Sequence, residues 1–130
     1  MALSQNVMVV DDEAELANLY RESLKKSGFQ TVSFTDPLLA VKDFSHNIDK
    51  YSLLITDLRM PHLNGIEFAN EIRQYNQHVQ ILLLTAYFDD DRLTSEDFIN
   101  ANFAEVVEKP DSLKVLLSRV GQLCNSSHRT

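Results

Sequence analysis

Leu53-Leu54-Ile55-Thr56-Asp57-Leu58-Arg59-Met60-Pro61 is the stretch whose reading decides the fold. Residues 53–55 form a short continuous apolar run, the pattern of a strand buried on both faces. A carboxylate, Asp57, follows at its end, Pro61 stops regular structure soon after, and Asn64-Gly65 signals a turn before the next helical pattern. Asp57 is thus placed where a buried strand meets a loop. In open parallel sheets that C-terminal edge is where ligands and chemistry collect. Taken alone, Asp57 reads equally as a cap or a turn residue, because Asp often ends strands.

Other stretches repeat the arrangement. Asn6-Val7-Met8-Val9-Val10 ends in Asp11-Asp12-Glu13, and Gln80-Ile81-Leu82-Leu83-Leu84 ends in Thr85-Ala86. Val106-Val107 leads into Glu108-Lys109-Pro110. Acids, a hydroxyl and a lysine are therefore delivered to one sheet edge, which chance capping does not readily produce.

Between these strands the pattern is helical. After Asp12, the residues Leu16, Leu19, Tyr20 and Leu24 share a face, and Gly28 ends the helix. Thr31-Val32-Ser33-Phe34 alternates, as a half-exposed edge strand does. Asp36-Pro37 reads as an N-cap and first helical position, with Leu38, Val41 and Phe44 on the face that follows. The helix from about Asn64 turns Ile66, Ala69 and Ile72 inward. The Leu82 strand leads to Tyr87-Phe88-Asp89-Asp90-Asp91, and the segment after it, up to about Asn100, has weak periodicity and many acids and is read as a helix. The last strand is Glu105 to Glu108, and Asp111-Ser112 starts a final helix with Leu113, Leu116, Leu117, Val120 and Leu123 on one face.

Five βα units predict an α/β fold: a doubly wound, five-stranded parallel sheet of the flavodoxin-like (βα)5 kind, with right-handed crossovers. The half-exposed second strand fits an edge and gives strand order 2-1-3-4-5. The switch point then lies between the strands ending in Asp11-Asp12 and in Asp57. Residues 1–124 are expected to form one domain, and 125–130 a frayed polar tail.

Composition narrows the function. The net charge of −7, from 19 acids against 12 bases, disfavours direct nucleic-acid binding, which needs a basic surface. No apolar run approaches the ~20 residues of a membrane helix. Residues 1–6 lack the basic and apolar regions of a signal peptide, so a cytoplasmic location is expected. Cys124 has no second cysteine to pair with and reads as a packing residue.

Three carboxylates at adjacent strand ends raise one another's pKa unless a cation is present. Mg²⁺, a hard cation that keeps several waters, suits an acid cluster without histidine or cysteine. His46, His62, His78 and His128 have no ligand spacing, which argues against zinc. A carboxylate beside Mg²⁺ can act as a nucleophile toward phosphorus and form an aspartyl phosphate. Lys109 suits neutralisation of the incoming charge, and the Thr85 hydroxyl can donate to a phosphoryl oxygen. Equally, Lys109 reads as a salt bridge to Asp57, and Thr85 as a hydroxyl bonded to backbone.

Together these motifs resemble the receiver domain of the two-component response regulator family, over about residues 6–123. The resemblance rests on Asp11-Asp12, on Asp57 with Met60-Pro61 and Gly65 downstream, on Thr85-Ala86 and on Lys109-Pro110. Each is weak alone; in this order and spacing they are specific. The resemblance implies that Asp57 is the phosphoacceptor, with Thr85 and Lys109 assisting. It implies Mg²⁺ bound directly by Asp12, Asp57 and the backbone carbonyl of Arg59, with Asp11 acting mainly through water. The implied donor is a phosphohistidine on a sensor histidine kinase or a phosphotransfer protein, and the output is control of a downstream effector rather than enzymatic turnover. Arg59 and Tyr87 fall where the family tunes the lifetime of the phosphoryl group.

Two positions depart from the family pattern. Val106 stands where the family often has the switching aromatic, and Asn102-Phe103 replaces the usual Gly-Ala pair. Signal transfer is therefore expected to run through residues 87–103, with Tyr87, Phe88, Phe98 and Phe103 supplying aromatic bulk. Rival readings are an aspartyl-phosphate phosphohydrolase and a receiver-like binding module that works without phosphorylation. The first usually has a second Asp two residues after the nucleophile; that position is Arg59, which cannot donate a proton at neutral pH. The second is disfavoured because the acids, the hydroxyl and the lysine are all present. A flavin site lacks a phosphate-cradling loop after the first strand.

Overall fold

The computed structural model describes residues 5–86, 88, 90–109 and 113–127. The apolar runs form five parallel strands: β1 (Asn6–Val10), β2 (Gln30–Phe34), β3 (Leu53–Asp57), β4 (Gln80–Thr85) and β5 (Glu105–Glu108). Their order is β2-β1-β3-β4-β5, as the alternation of β2 against the continuous runs of β1, β3 and β4 predicts. Between them lie α1 (Ala14–Lys26), α2 (Pro37–Ser45), α3 (Gly65–Arg73), a 3₁₀ turn (Asp91–Thr94), α4 (Glu96–Ala101) and α5 (Leu113–Ser127).

Alternate residues of the buried strands feed opposite faces. Met8, Val10, Leu54 and Ile81 pack against Ala40 and Phe44 of α2, Phe68, Ala69 and Ile72 of α3, and Ala101 of α4. Val7, Val9, Leu53, Ile55, Leu82, Leu84 and Val107 pack against Leu24 of α1 and Leu116, Val120 and Cys124 of α5. Each large apolar side chain so buried contributes about 1.5–3 kcal/mol. Cys124 is a packing residue as expected, and burial pushes its thiol up to about 11. Among the described residues no helix is long and apolar enough to cross a membrane.

Two helical faces differ from the sequence reading. Leu19 is 48% exposed, while Ala17 and Leu24 are the buried residues of α1. Leu38 is likewise 48% exposed, and Pro37, Ala40 and Phe44 face the sheet. Leu38-Leu39-Ala40-Val41 is apolar at every position, so periodicity alone left the frame open. The cap settles it: Asp36 accepts the Leu38 N–H, Pro37 takes the first position, and Ala40 meets the sheet with no bulk to spare. Asn64 opens α3 with a reciprocal capping box to Glu67.

Among the described residues, the segment read as one helix here is broken rather than continuous. Asp90 caps the 3₁₀ turn, and the Ser95 hydroxyl then accepts the Phe98 N–H to start α4 afresh. Tyr87 lies outside the described residues. Asn102 ends α4 at φ 54°, in the left-handed region that Asn tolerates among non-glycine residues. It therefore fills the conformational role expected of a glycine there. α5 continues through Ser127, into the segment read as a frayed tail, and the start at Asp111-Ser112 lies outside the described residues.

Arg73 locks this half of the molecule. Its Nε donates to the Ala101 carbonyl at 2.7 Å, Nη1 to Val79 at 2.7 Å and Asn76 at 3.3 Å, and Nη2 to Asn102 at 3.0 Å. Arg73→Met keeps the aliphatic stem and leaves these carbonyls without their donor. It is expected to lower unfolding stability by about 2 kcal/mol, read from the urea midpoint at unchanged slope.

Candidate functional site

Register brings the predicted residues to one edge. Val10 pairs with Thr56, Asp57 with Leu84, and Thr85 with Glu108. Asp11-Asp12, Asp57, Thr85 and Lys109 therefore leave the sheet side by side. Asp11, Asp12 and Asp57 each place a carboxylate oxygen within 4.8 Å of the others.

Lys109 lies between two of these acids. Its Nζ donates to Asp11 Oδ2 at 3.1 Å and stands 3.3 Å from Asp57 Oδ1. Asp11 is fully buried, and its Oδ1 accepts the Glu13 N–H at 2.9 Å. Asp57 Oδ1 also accepts the Leu58 N–H at 3.0 Å. The Lys109 backbone N–H donates to the Thr85 carbonyl at 2.5 Å, which ties the last loop to the end of β4. Thr85 itself is buried.

Charge in the site is unbalanced. Burial raises the Asp57 pKa; Lys109 opposes this, Asp11 reinforces it, and the net shift is upward. Burial alone would lower the Lys109 pKa, but Asp57 and Asp11 outweigh it and raise it, so the amine is protonated at neutral pH. One ammonium thus faces three acids. The donor set is all carboxylate oxygen, and it fits a hard divalent cation such as Mg²⁺.

Gly65 sets how closely α3 approaches the site. Its N–H donates to the Leu58 carbonyl at 2.8 Å, and a Cβ built there would lie 2.3 Å from the Asp57 carbonyl oxygen. Val106 is half-buried against the cluster of Leu58, Ile66 and Leu83, together with Phe98 and Phe103. The rings of Phe98 and Phe103 are 5.4 Å apart. Phe98 and Phe103 thus supply aromatic bulk beside Val106, while Phe88 is exposed.

Sequence reasoning missed two neighbours of the site. Tyr20, read only as a core residue, has its pKa raised by burial, and Lys109, Asp11, Asp57 and Glu13 all act on it electrostatically. Asp90 pairs at 3.7 Å with Arg59, two residues past Asp57. Neither carries a motif; each is found only through the fold. A cavity of about 580 Å³ lies elsewhere, at the opposite end of β1 and β2, lined by Lys25, Phe29, Lys50 and Tyr51 among others. It contains none of the acids, and the carboxylate cluster rather than cavity size marks the chemistry.

The chain belongs to the response regulator receiver domain family, whose model matches residues 7–121. It is accordingly a receiver domain of two-component signalling. Its sequence is 30% identical over 125 residues to the regulatory protein VanRB of Enterococcus faecalis, covering 96% of this chain and 54% of that protein. It is 29% identical over 122 residues to the transcriptional regulatory protein CpxR of Escherichia coli, covering 94% of this chain and 50% of that one. The chain thus spans about half the length of these curated relatives. Among solved structures, a response regulator receiver domain protein from Clostridium thermocellum superposes with a TM-score of 0.85 at 22% identity, covering 95% and 97% of the two chains. The response regulator TrrA from Thermotoga maritima, in complex with Mg(2+)-BeF, gives 0.76 at 31% identity, covering 92% and 98%.

Proposed function

We propose that Asp57 accepts a phosphoryl group in a Mg²⁺-dependent reaction in the cytoplasm, and that the modified domain controls a downstream partner. The observation that carries this is Lys109 bridging Asp11 and Asp57 within the three-carboxylate cluster. The donor is a phosphohistidine on a sensor histidine kinase or a phosphotransfer protein. An Asp57 carboxylate oxygen attacks phosphorus, the P–N bond to the donor imidazole breaks, and the electron pair leaves with the imidazole. Lys109 neutralises charge on the phosphoryl oxygens, and the Thr85 hydroxyl donates to one of them. The domain acts as a stoichiometric acceptor rather than a turnover enzyme.

Mg²⁺ would be held by Asp12, Asp57 and the Arg59 carbonyl, and when bound it would offset the negative charge that gathers during transfer. Asp11 acts through water in this reading, in keeping with the engagement of its oxygens by Glu13 and Lys109. Asp12→Ala is expected to remove most Mg²⁺ affinity in a calorimetric titration; equal affinities would place the cation elsewhere. The function itself is tested by incubation with acetyl phosphate. Intact mass should rise by one phosphoryl group only when Mg²⁺ is present, and the adduct should be lost on brief alkaline treatment. No gain in mass under these conditions would refute the reading.

A further inference from the structure

Asp90 belongs to none of the motifs above, yet only 9% of its side chain is exposed. Arg92 grips it as a fork: Nε lies 3.0 Å from Oδ1 and Nη2 2.8 Å from Oδ2. The Arg92 backbone N–H adds a third bond to Oδ1 at 2.9 Å. The hydrogen bonds from Arg92 hold the Asp90 carboxyl well below the usual carboxylate range, so it is charged at neutral pH. A second guanidinium approaches the same oxygen. Arg59 Nη2 stands 3.7 Å from Asp90 Oδ2, with its side chain 65% exposed. Arg59 lies two residues past Asp57, in the loop between β3 and α3.

We propose that Asp90 is a positioning residue for the reaction at Asp57: it holds the Arg59 guanidinium aside, and a phosphoryl group on Asp57 competes for it. This rests on the reading of Asp57 as the phosphoacceptor. The competition has a clear direction. A carboxylate already satisfied by the Arg92 fork gains little from a second guanidinium at 3.7 Å. A phosphoryl group brings roughly −1.5 to −2 charges and three acceptor oxygens, which an arginine fork matches well. When Arg59 turns to it, the guanidinium covers a phosphoryl oxygen and impedes the approach of water. The 3₁₀ turn simultaneously loses its tie to the β3–α3 loop while keeping its own cap through Arg92. Occupancy of Asp57 is thereby passed to the segment leading into α4.

The test is the lifetime of the acetyl phosphate adduct. Asp90→Asn keeps an oxygen for the Arg92 N–H but removes the charge that restrains Arg59. The adduct half-life is expected to lengthen roughly threefold, the scale of a part-exposed ion pair. In an Arg59→Gln background, which keeps the backbone carbonyl, Asp90→Asn is expected to change nothing. An unchanged half-life, or the same change in both backgrounds, would overturn the proposal, since a merely structural role of Asp90 does not depend on Arg59. A second measurement needs no phosphorylation. Amide exchange at residues 92–94 of the unmodified protein should quicken in Arg59→Gln, and equal exchange would overturn the ion pair. If exchange quickens but the wild-type protein takes up no phosphoryl group, the reading of Asp57 fails, and the reaction role of Asp90 fails with it.

Discussion

Asp57→Asn is expected to lose phosphoryl uptake completely and, in the absence of divalent cation, to unfold at a higher temperature than the wild-type protein. Loss of uptake follows because the amide offers no anionic oxygen to attack phosphorus. The gain in stability follows from electrostatics. Burial, reinforced by Asp11, raises the Asp57 pKa in the fold despite Lys109. A carboxyl whose pKa is raised on folding binds its proton more tightly when folded, so stability falls as pH rises from the unfolded to the folded pKa. The charged carboxylate carries that loss, and the uncharged amide escapes it. Lys109 is not stranded by the change, because Asp11 Oδ2 stays at 3.1 Å. The rise should be a few degrees by scanning calorimetry in chelator. It should shrink as pH falls below the ordinary carboxylate range, where wild-type Asp57 is protonated as well. Saturating Mg²⁺ should narrow the gap too, because a cation that binds only the folded wild-type site stabilises it by mass action. A variant no more stable than wild type in chelator would contradict the charge imbalance.

Gly65→Ala should be strongly damaging for the addition of one methyl group, at about 3 kcal/mol. Its methyl group would lie 2.3 Å from the Asp57 carbonyl oxygen and 2.8 Å from Leu83 Cδ1. The second neighbour can turn; the first is backbone at the end of a buried strand and cannot yield without moving Asp57. Conformational freedom is not the issue at this glycine, only space. Gly121 of α5 is the control, because a Cβ there meets nothing within 4 Å. Gly121→Ala should stabilise the helix by about 0.5–1 kcal/mol. Urea unfolding of both variants measures the contrast. Gly65→Ala should also slow phosphoryl uptake more than its residual fold content explains, because the strand end that aims Asp57 must shift.

Much of this architecture was readable in the chain because parallel sheets impose a simple code. Short, β-branched apolar runs such as Val7-Met8-Val9-Val10 fit strands covered on both faces, and the alternation in β2 marks it as an edge. The acids and Lys109 were legible because each lies within two residues of the end of an apolar run. Helix orientation was less so. In α2 every position from Leu38 to Val41 is apolar, and the face was decided by the Asp36 cap and by which residue could meet the sheet closely. The break at Ser95 was hidden for a similar reason: a serine in weak periodicity reads as helix surface until its hydroxyl is seen to cap Phe98. Pairings across distant loops, such as Arg59 with Asp90 or Arg73 with the end of α4, leave no trace in local pattern, since neither partner constrains the other's neighbours in sequence.

The strand order also has a consequence for how the chain is made. β1 is synthesised before both of the strands that flank it, and its partnership with β3, Val7 beside Leu53, cannot form until residue 53 has left the ribosome. At translation speeds of roughly 5–20 residues per second, the interval is a matter of seconds. Until then Val7, Met8, Val9 and Val10 can pair on one side at most, with β2 once it has emerged, and the other side presents an open apolar edge. The nascent chain thus spends seconds as an unfinished sheet whose future centre is its margin, the stage at which it most needs shielding from other chains.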